Sequence, residues 1–191
     1  MLFSTTETKM MGRMRLLKLL YLANRKSLKE TGDPIVDDDA FAMEGGPVLT
    51  HTYDLMKGNE RNQTAQAAWS AHFKVVDSIQ VQMVSDPGSD HLSDYDVEAL
   101  IDIARMYQDQ DDYDLSRLTH TFEEYIRCWG DGSRRSVPIP TNDLLKGIGY
   151  SPEEINVALS EARLYAMEQD LLGCPDLLPY SWVDSSPRIT A

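Results

Sequence analysis

The chain has 191 residues, 42% hydrophobic and 26% charged, enough for a sizeable core and too apolar for a disordered chain. Its net charge of −13 disfavours a phosphate backbone as a general partner and favours a cationic protein surface. Two cysteines, Cys128 and Cys174, give no disulfide framework and no C-x-x-C pair, which suits buried thiols in a reducing cytoplasm.

The charge is uneven. Lys9 to Lys29 holds seven Lys/Arg and no acid, whereas Glu30 to Ala191 holds 11 Lys/Arg against 30 Asp/Glu. The spacing predicts a first helix from about Thr8 to Lys29. Met10, Met14, Leu17, Tyr21 and Leu28 form its apolar stripe, widened by Leu16, Leu20 and Ala23. Arg15, Lys18, Arg25, Lys26 and Lys29 share an opposite arc of about 100°. The run from Leu16 to Ala23 is interrupted by Lys18, followed by Arg25 and Lys26, and has no small-x-small cleavage site. It reads as core rather than a membrane span or signal peptide. Gly32 stops the helix and Pro34 prevents its resumption.

Ile35 to Met43 is expected to be extended and acidic, carrying Asp37, Asp38 and Asp39 in a row. Pro47 is placed at the first position of a second helix bearing Val48, Leu49, Leu55 and Met56 and ending at Gly58. Asn59 to Ala65 is expected to be a polar loop. Phe73–Val76 and Ile79–Val84 are predicted as a hairpin turning at Asp77-Ser78, with Ile79, Val81 and Met83 facing inward.

A helical half follows. Ser93 with Asp96 predicts a capping box, and Val97, Leu100, Ile101, Ala104 and Tyr107 give an i, i+3, i+4, i+7 face. Asp109 to Asp112 reads as a linker, then one helix from about Leu115 to Cys128. Thr141 is expected to cap a short helix ending near Gly147 to Gly149. Ser151-Pro152-Glu153-Glu154 opens the last helix, which is expected to reach Leu172 and stop at Gly173 and Pro175 before an irregular tail. The fold class is therefore α+β, predominantly helical: a single domain with a small antiparallel β-hairpin between an N-terminal helical pair and a C-terminal helical half.

Three stretches, in order, carry a resemblance. They are Lys18-Leu19-Leu20-Tyr21-Leu22-Ala23; then Met43-Glu44-Gly45-Gly46-Pro47-Val48 with Tyr53; then Leu115 to His120, which ends in Leu-Thr-His. This order resembles the SocA-like antitoxin family, also called the Panacea domain, over about residues 15–130. Met43 stands where that family usually carries Trp. The resemblance implies a Panacea-like domain over 1–130, with 131–191 as a helical extension packed on it. It implies a cytoplasmic antitoxin that neutralises the toxin of a neighbouring gene by direct binding or by promoting its degradation. The partner is then the cognate toxin, with a homodimer or a hetero-oligomer as the assembly and no membrane. Candidate toxin contacts are Asp37, Asp38, Asp39, Glu44, Gly46, Pro47, Val48, Tyr53 and His120, although Gly46, Pro47 and Tyr53 suit structural roles as well.

No phosphate loop, dinucleotide fingerprint, nucleophile elbow or H-E-x-x-H appears. His51, His72, His91 and His120 are 19 or more residues apart and none pairs with Cys at ligand spacing. No metal, cofactor or catalytic residue is therefore assigned. Asp109 to Asp114 breaks the EF-hand register. Two alternatives remain. One is a hydrolase using His120 with Glu123 or Glu124; no nucleophile accompanies them. The other is a DNA-binding autoregulator acting through Arg15, Lys18, Arg25 and Lys26 of the first helix, cations that the protein's own acidic body would equally occupy. The last helix carries Glu153, Glu154, Glu161, Glu168 and Asp170 against Arg163 alone and is unsuited to a phosphate backbone.

Overall fold

A computed structural model describes residues 1–77, 79–130 and 132–171. Helix α1 (Arg13–Thr31) is the axis of the molecule. Leu16, Leu17, Leu19, Leu22, Ala23 and Leu28 are buried, and so are Lys18, Tyr21, Asn24 and Ser27, so burial runs nearly around the helix rather than along one stripe. Gly32 ends α1 in the left-handed region at φ 86°, its N–H donating to the Leu28 carbonyl, as a C′ glycine should.

Two three-stranded antiparallel sheets flank this axis. The first has the order β1-β5-β4, built from β1 (Met10–Gly12), β4 (Phe73–Val75) and β5 (Gln80–Met83). The hairpin expected from the sequence is present, one residue shorter at its inner ends. Val81 is fully buried, but Ile79 lies before the strand and is 65% exposed. Asp77 Oδ1 accepts from the N–H groups of Ile79 and Gln80; Ser78 lies outside the described residues. The expected start of the first helix is corrected here. Met10 to Gly12 pairs with β5, Met11 opposite Val81, because β5 offers an open edge that satisfies backbone groups and buries Met11.

The second sheet has the order β3-β2-β6, from β2 (Ala40–Met43), β3 (Gly46–Leu49) and β6 (Ser136–Pro138). Pro47 is therefore not a first helical residue. It sits in edge strand β3 opposite Ala42, a place that also tolerates a missing N–H. Helix α2 (Thr50–Lys57) begins three residues later. The segment expected as loop after it contains the start of α3 (Gln63–His72), capped by Asn62, whose side chain accepts from Thr64 and Ala65. Helix α3 buries no residue completely, so it lacks the apolar periodicity that reveals a helix.

In the C-terminal half, α4 (Asp94–Met106) starts with the Ser93–Asp96 capping box. The single helix expected from Leu115 to Cys128 is two: α5 (Asp112–His120) and α6 (Glu123–Trp129). Thr119 and Thr121 hydroxyls donate back to the carbonyls of Ser116 and Leu118, and extended Phe122 carries the chain round the corner. Helices α7 (Thr141–Gly147) and α8 (Pro152–Leu171) follow, the latter opened by reciprocal Ser151–Glu154 bonds. The predicted end of the last helix, the tail and Cys174 lie outside the described residues. The architecture is α+β and predominantly helical, and no helix among the described residues is long and apolar enough to cross a membrane.

Candidate partner-binding site

Lys18, Tyr21 and Arg25 occupy positions i, i+3 and i+7 of α1, so all three point toward one side of the helix. That side meets the β2–β3 turn and the α5–α6 corner. Lys18 is wholly buried and donates from Nζ to the Pro47 carbonyl at 2.7 Å. Burial pushes its amine down to about 7. Gly46, at φ 96°, lies against the same amine. A Cβ there would stand 2.6 Å from Thr119 Oγ1, 2.8 Å from Lys18 Nζ and 3.0 Å from His120 Cδ2. Three stretches far apart in the chain thus close on one point, which only glycine fits.

Seven residues further along α1, Arg25 Nε donates to Glu124 Oε1 at 2.5 Å and Nη2 to Oε2 at 3.1 Å. The same Nη2 donates to the Gly147 carbonyl at 2.9 Å, and the guanidinium lies 3.9 Å from the Phe122 ring centre. Tyr21 Oη donates to Glu124 Oε1 at 3.0 Å. Burial, and then the Glu124 charge, holds the Tyr21 hydroxyl well above its ordinary value. Glu124 is fully buried, so its carboxylate depends on Arg25 and Tyr21 for compensation.

Arg15 and Lys26 of the basic arc are also engaged by the chain. Arg15 donates to the Gln110 and Tyr107 carbonyls at 2.5 Å each, closing the end of α4. Lys26 pairs with Glu30 at 2.6 Å. His120 stacks on Tyr125, ring centres 4.7 Å apart and planes 3° from parallel, and its buried Nε2 has no hydrogen-bond partner among the described residues. Burial, and then Lys18, lowers its imidazole. Neither carboxylate of the hydrolase alternative is its partner: Glu124 serves Tyr21 and Arg25, and Glu123 pairs with Arg127. No group of three or more His, Cys, Asp or Glu able to hold a metal occurs among the described residues. Burial, followed by Asp143, raises the Cys128 thiol to about 11, leaving it unreactive at neutral pH.

The acidic triplet is divided in its roles. Asp38 accepts from the N–H groups of His51 and Thr52 and from the Thr52 hydroxyl, each at 2.8 Å, capping α2 from a distance. Asp39 contributes its carbonyl to Thr50. Asp37 remains exposed, and desolvation, then Asp39 and Asp38, lifts it to about 6.

Outside this buried knot the same segment faces a groove of about 1030 Å³. Met43, exposed Glu44, Gly45 and Tyr53 form one wall; Arg13 and Met14 of α1 form another. Trp129 approaches from the end of α6, Arg134 and Arg135 from the segment after it, and Ile79 from the hairpin. Tyr53 has Lys57 Nζ 4.7 Å and Arg13 Cζ 5.9 Å from its ring centre. Gly46 and Val48 reach the groove from β3, whereas Pro47 is buried behind it. Sequence reasoning singled out Glu44 and Tyr53 but not Arg13, Trp129, Arg134 or Arg135, which come from segments with no shared pattern.

Searches of curated proteins and of solved structures give no match. A protein-family model, Antitoxin SocA-like, Panacea domain, matches residues 16–125, a span holding most of α1, the β2–β3 turn, α5 and Glu124. That match covers more than half of the chain, which belongs to the SocA-like antitoxin family through its Panacea domain.

Proposed function

We propose that the chain is an antitoxin that neutralises the toxin encoded beside it by occupying the toxin's surface, without a bond-making step of its own. Family membership supports an antitoxin role. The groove beside the Gly45-Gly46 turn carries the reading: rings, thioethers and an exposed isoleucine lie beside arginines, the mixture that anchors protein interfaces. In this reading the buried Lys18–Gly46–Thr119 contacts hold the turn rigid, and Glu44, Tyr53 and Trp129 meet the toxin. A rigid turn loses little entropy on binding, so more of its contact energy appears as affinity. Residues 1–130 form the antitoxin domain and 131–171 an extension packed on it, acting in the cytoplasm as a complex with the toxin.

Co-expression tests this. The adjacent gene alone should arrest growth, and the full chain should restore it and co-purify with the toxin. Tyr53→Ala with Trp129→Ala should weaken binding at least tenfold when measured well below the variant's own melting temperature, since both rings also pack on the core. A harmless neighbour, or rescue unchanged by the groove variants, would refute the proposal.

A further inference from the structure

Helix α8 is held to the body by its first turns. Ile155 is buried against a cluster with Leu28, Leu145 and Ile148, with Ala158 and Leu159 packed beside it. Further along, Leu164 is 66% exposed, Tyr165 50% and Met167 65%, and Val157 is 56% exposed before them. At 3.6 residues per turn, Glu153, Glu154 and Glu161 interleave with Val157, Leu164 and Tyr165 within an arc of about 120°, turned away from Ile155. Arg163 falls outside that arc. Beside it runs a groove of about 830 Å³, floored by Pro34, Tyr150 and Ala158 and closed by Asp33 and Asp37 after α1. Five carboxylates line this groove, and no lysine or arginine does among the described residues.

We propose that this face of α8, with the Asp33–Asp37 loop, is a docking surface for a basic, apolar-faced helix of the toxin. The inference rests on the antitoxin reading above. Apolar residues of the incoming helix lie on Val157, Leu164 and Tyr165, and its lysines or arginines meet Glu153, Glu161 and Asp37. Asp37 is crowded by Asp38 and Asp39, and an arriving cation relieves that repulsion. An acidic rim repels nucleic acid and anionic lipid, and an apolar floor gives a bare metal ion nothing. The chain's own residues 172–191 carry Asp176 and Asp184 against Arg188, so they do not complement the groove's charge. The surface lies largely outside the family-matched span of 16–125. It therefore adds a chain-specific means of selecting one toxin, alongside the groove of the family domain.

The test uses the full chain with the purified product of the adjacent gene. Glu153→Lys/Glu161→Lys and, separately, Leu164→Ser/Tyr165→Ser should each raise Kd at least tenfold and abolish growth rescue. A control, Glu98→Lys/Asp109→Lys, reverses two exposed charges elsewhere and should bind like wild type. Because the substituted α8 side chains are largely exposed, circular dichroism should show the same helix content in every variant. Wild-type binding should weaken about tenfold between low and high salt. If wild type rescues and both α8 variants bind equally well, the docking surface is wrong while the antitoxin reading stands. Concentration-dependent dimerisation lost only in Leu164→Ser/Tyr165→Ser would assign the face to a second copy and overturn the proposal. If wild type neither binds nor rescues, the antitoxin reading falls and this inference with it.

Discussion

Lys18 Nζ lies 2.7 Å from the Pro47 carbonyl, and the missing side chain of Gly46 makes room for it. The contact ties the centre of α1 to the turn that faces the larger groove. An ammonium in this position has lost its hydration and gains one carbonyl partner, so the charged form is disfavoured. The amine's reach and hydrogen bonding fix the turn, and the cost of burying it is borne by the rest of the fold.

Gly46→Ala should therefore be severe. The added methyl would meet Thr119 and Lys18, both fully buried and unable to swing away, at a φ of 96° that alanine rarely adopts. A loss of about 3–5 kcal/mol is expected from overpacking plus backbone strain. Gly58→Ala, at φ 69° with nothing within 4 Å, should lose only about 1 kcal/mol. Urea unfolding of both variants checks the contrast, and equal losses would mean that crowding at Gly46 is unimportant.

The pH dependence of Lys18 has a definite sign. Its amine falls from 10.5 to about 7 on folding, so between these values the unfolded chain binds a proton that the folded chain releases. Stability from this group rises with pH across that window; below about 7 the penalty is complete, and above 10.5 it vanishes. Lys18→Met should lower the slope of unfolding free energy against pH between 7 and 9, whatever its effect on absolute stability. Parallel curves for wild type and variant would show that the buried amine keeps its ordinary pKa.

The acidic triplet should respond unequally. Asp38→Ala removes three hydrogen bonds at the start of α2 and should cost about 1–2 kcal/mol. Asp37→Asn should be neutral or slightly stabilising at pH 7, because the carboxylate is raised to about 6 and its penalty is complete above that pH. Thermal melts of the two variants distinguish them. A larger loss at Asp37 would contradict this division of roles.

Local chemistry was readable from the chain wherever the partners were close. Gly32, the Ser93–Asp96 box and the Ser151–Glu154 start all depend on residues within four positions, and each forms as expected. Pro47 was misplaced because a first helical position and an edge strand share one requirement, a dispensable N–H. Met10 has helical spacing with Met14 and Leu17, yet an open strand edge 70 residues later pairs with its backbone. The order of the family stretches was visible; their meeting point was not, since Lys18 and Thr119 stand 101 positions apart. The larger groove was least legible, because Arg13, Tyr53, Trp129 and Arg135 share no period and are gathered only by tertiary packing.

Arg25 and Glu124 provide the sharpest test of what holds the α5–α6 corner to α1. Arg25→Met alone leaves a fully buried carboxylate at Glu124 without its cation, with only the Tyr21 hydroxyl beside it. That change should cost about 3–5 kcal/mol, the penalty of an uncompensated buried charge. Glu124→Leu alone should cost less, because Arg25 is partly open to water and keeps the Gly147 carbonyl. The double variant removes both charges and should recover about 1–3 kcal/mol relative to the sum of the singles. Urea unfolding of the four proteins measures that coupling. Additive losses would mean that the ion pair contributes no more than its separate contacts, and that Phe122 and Tyr125 packing alone sets the corner.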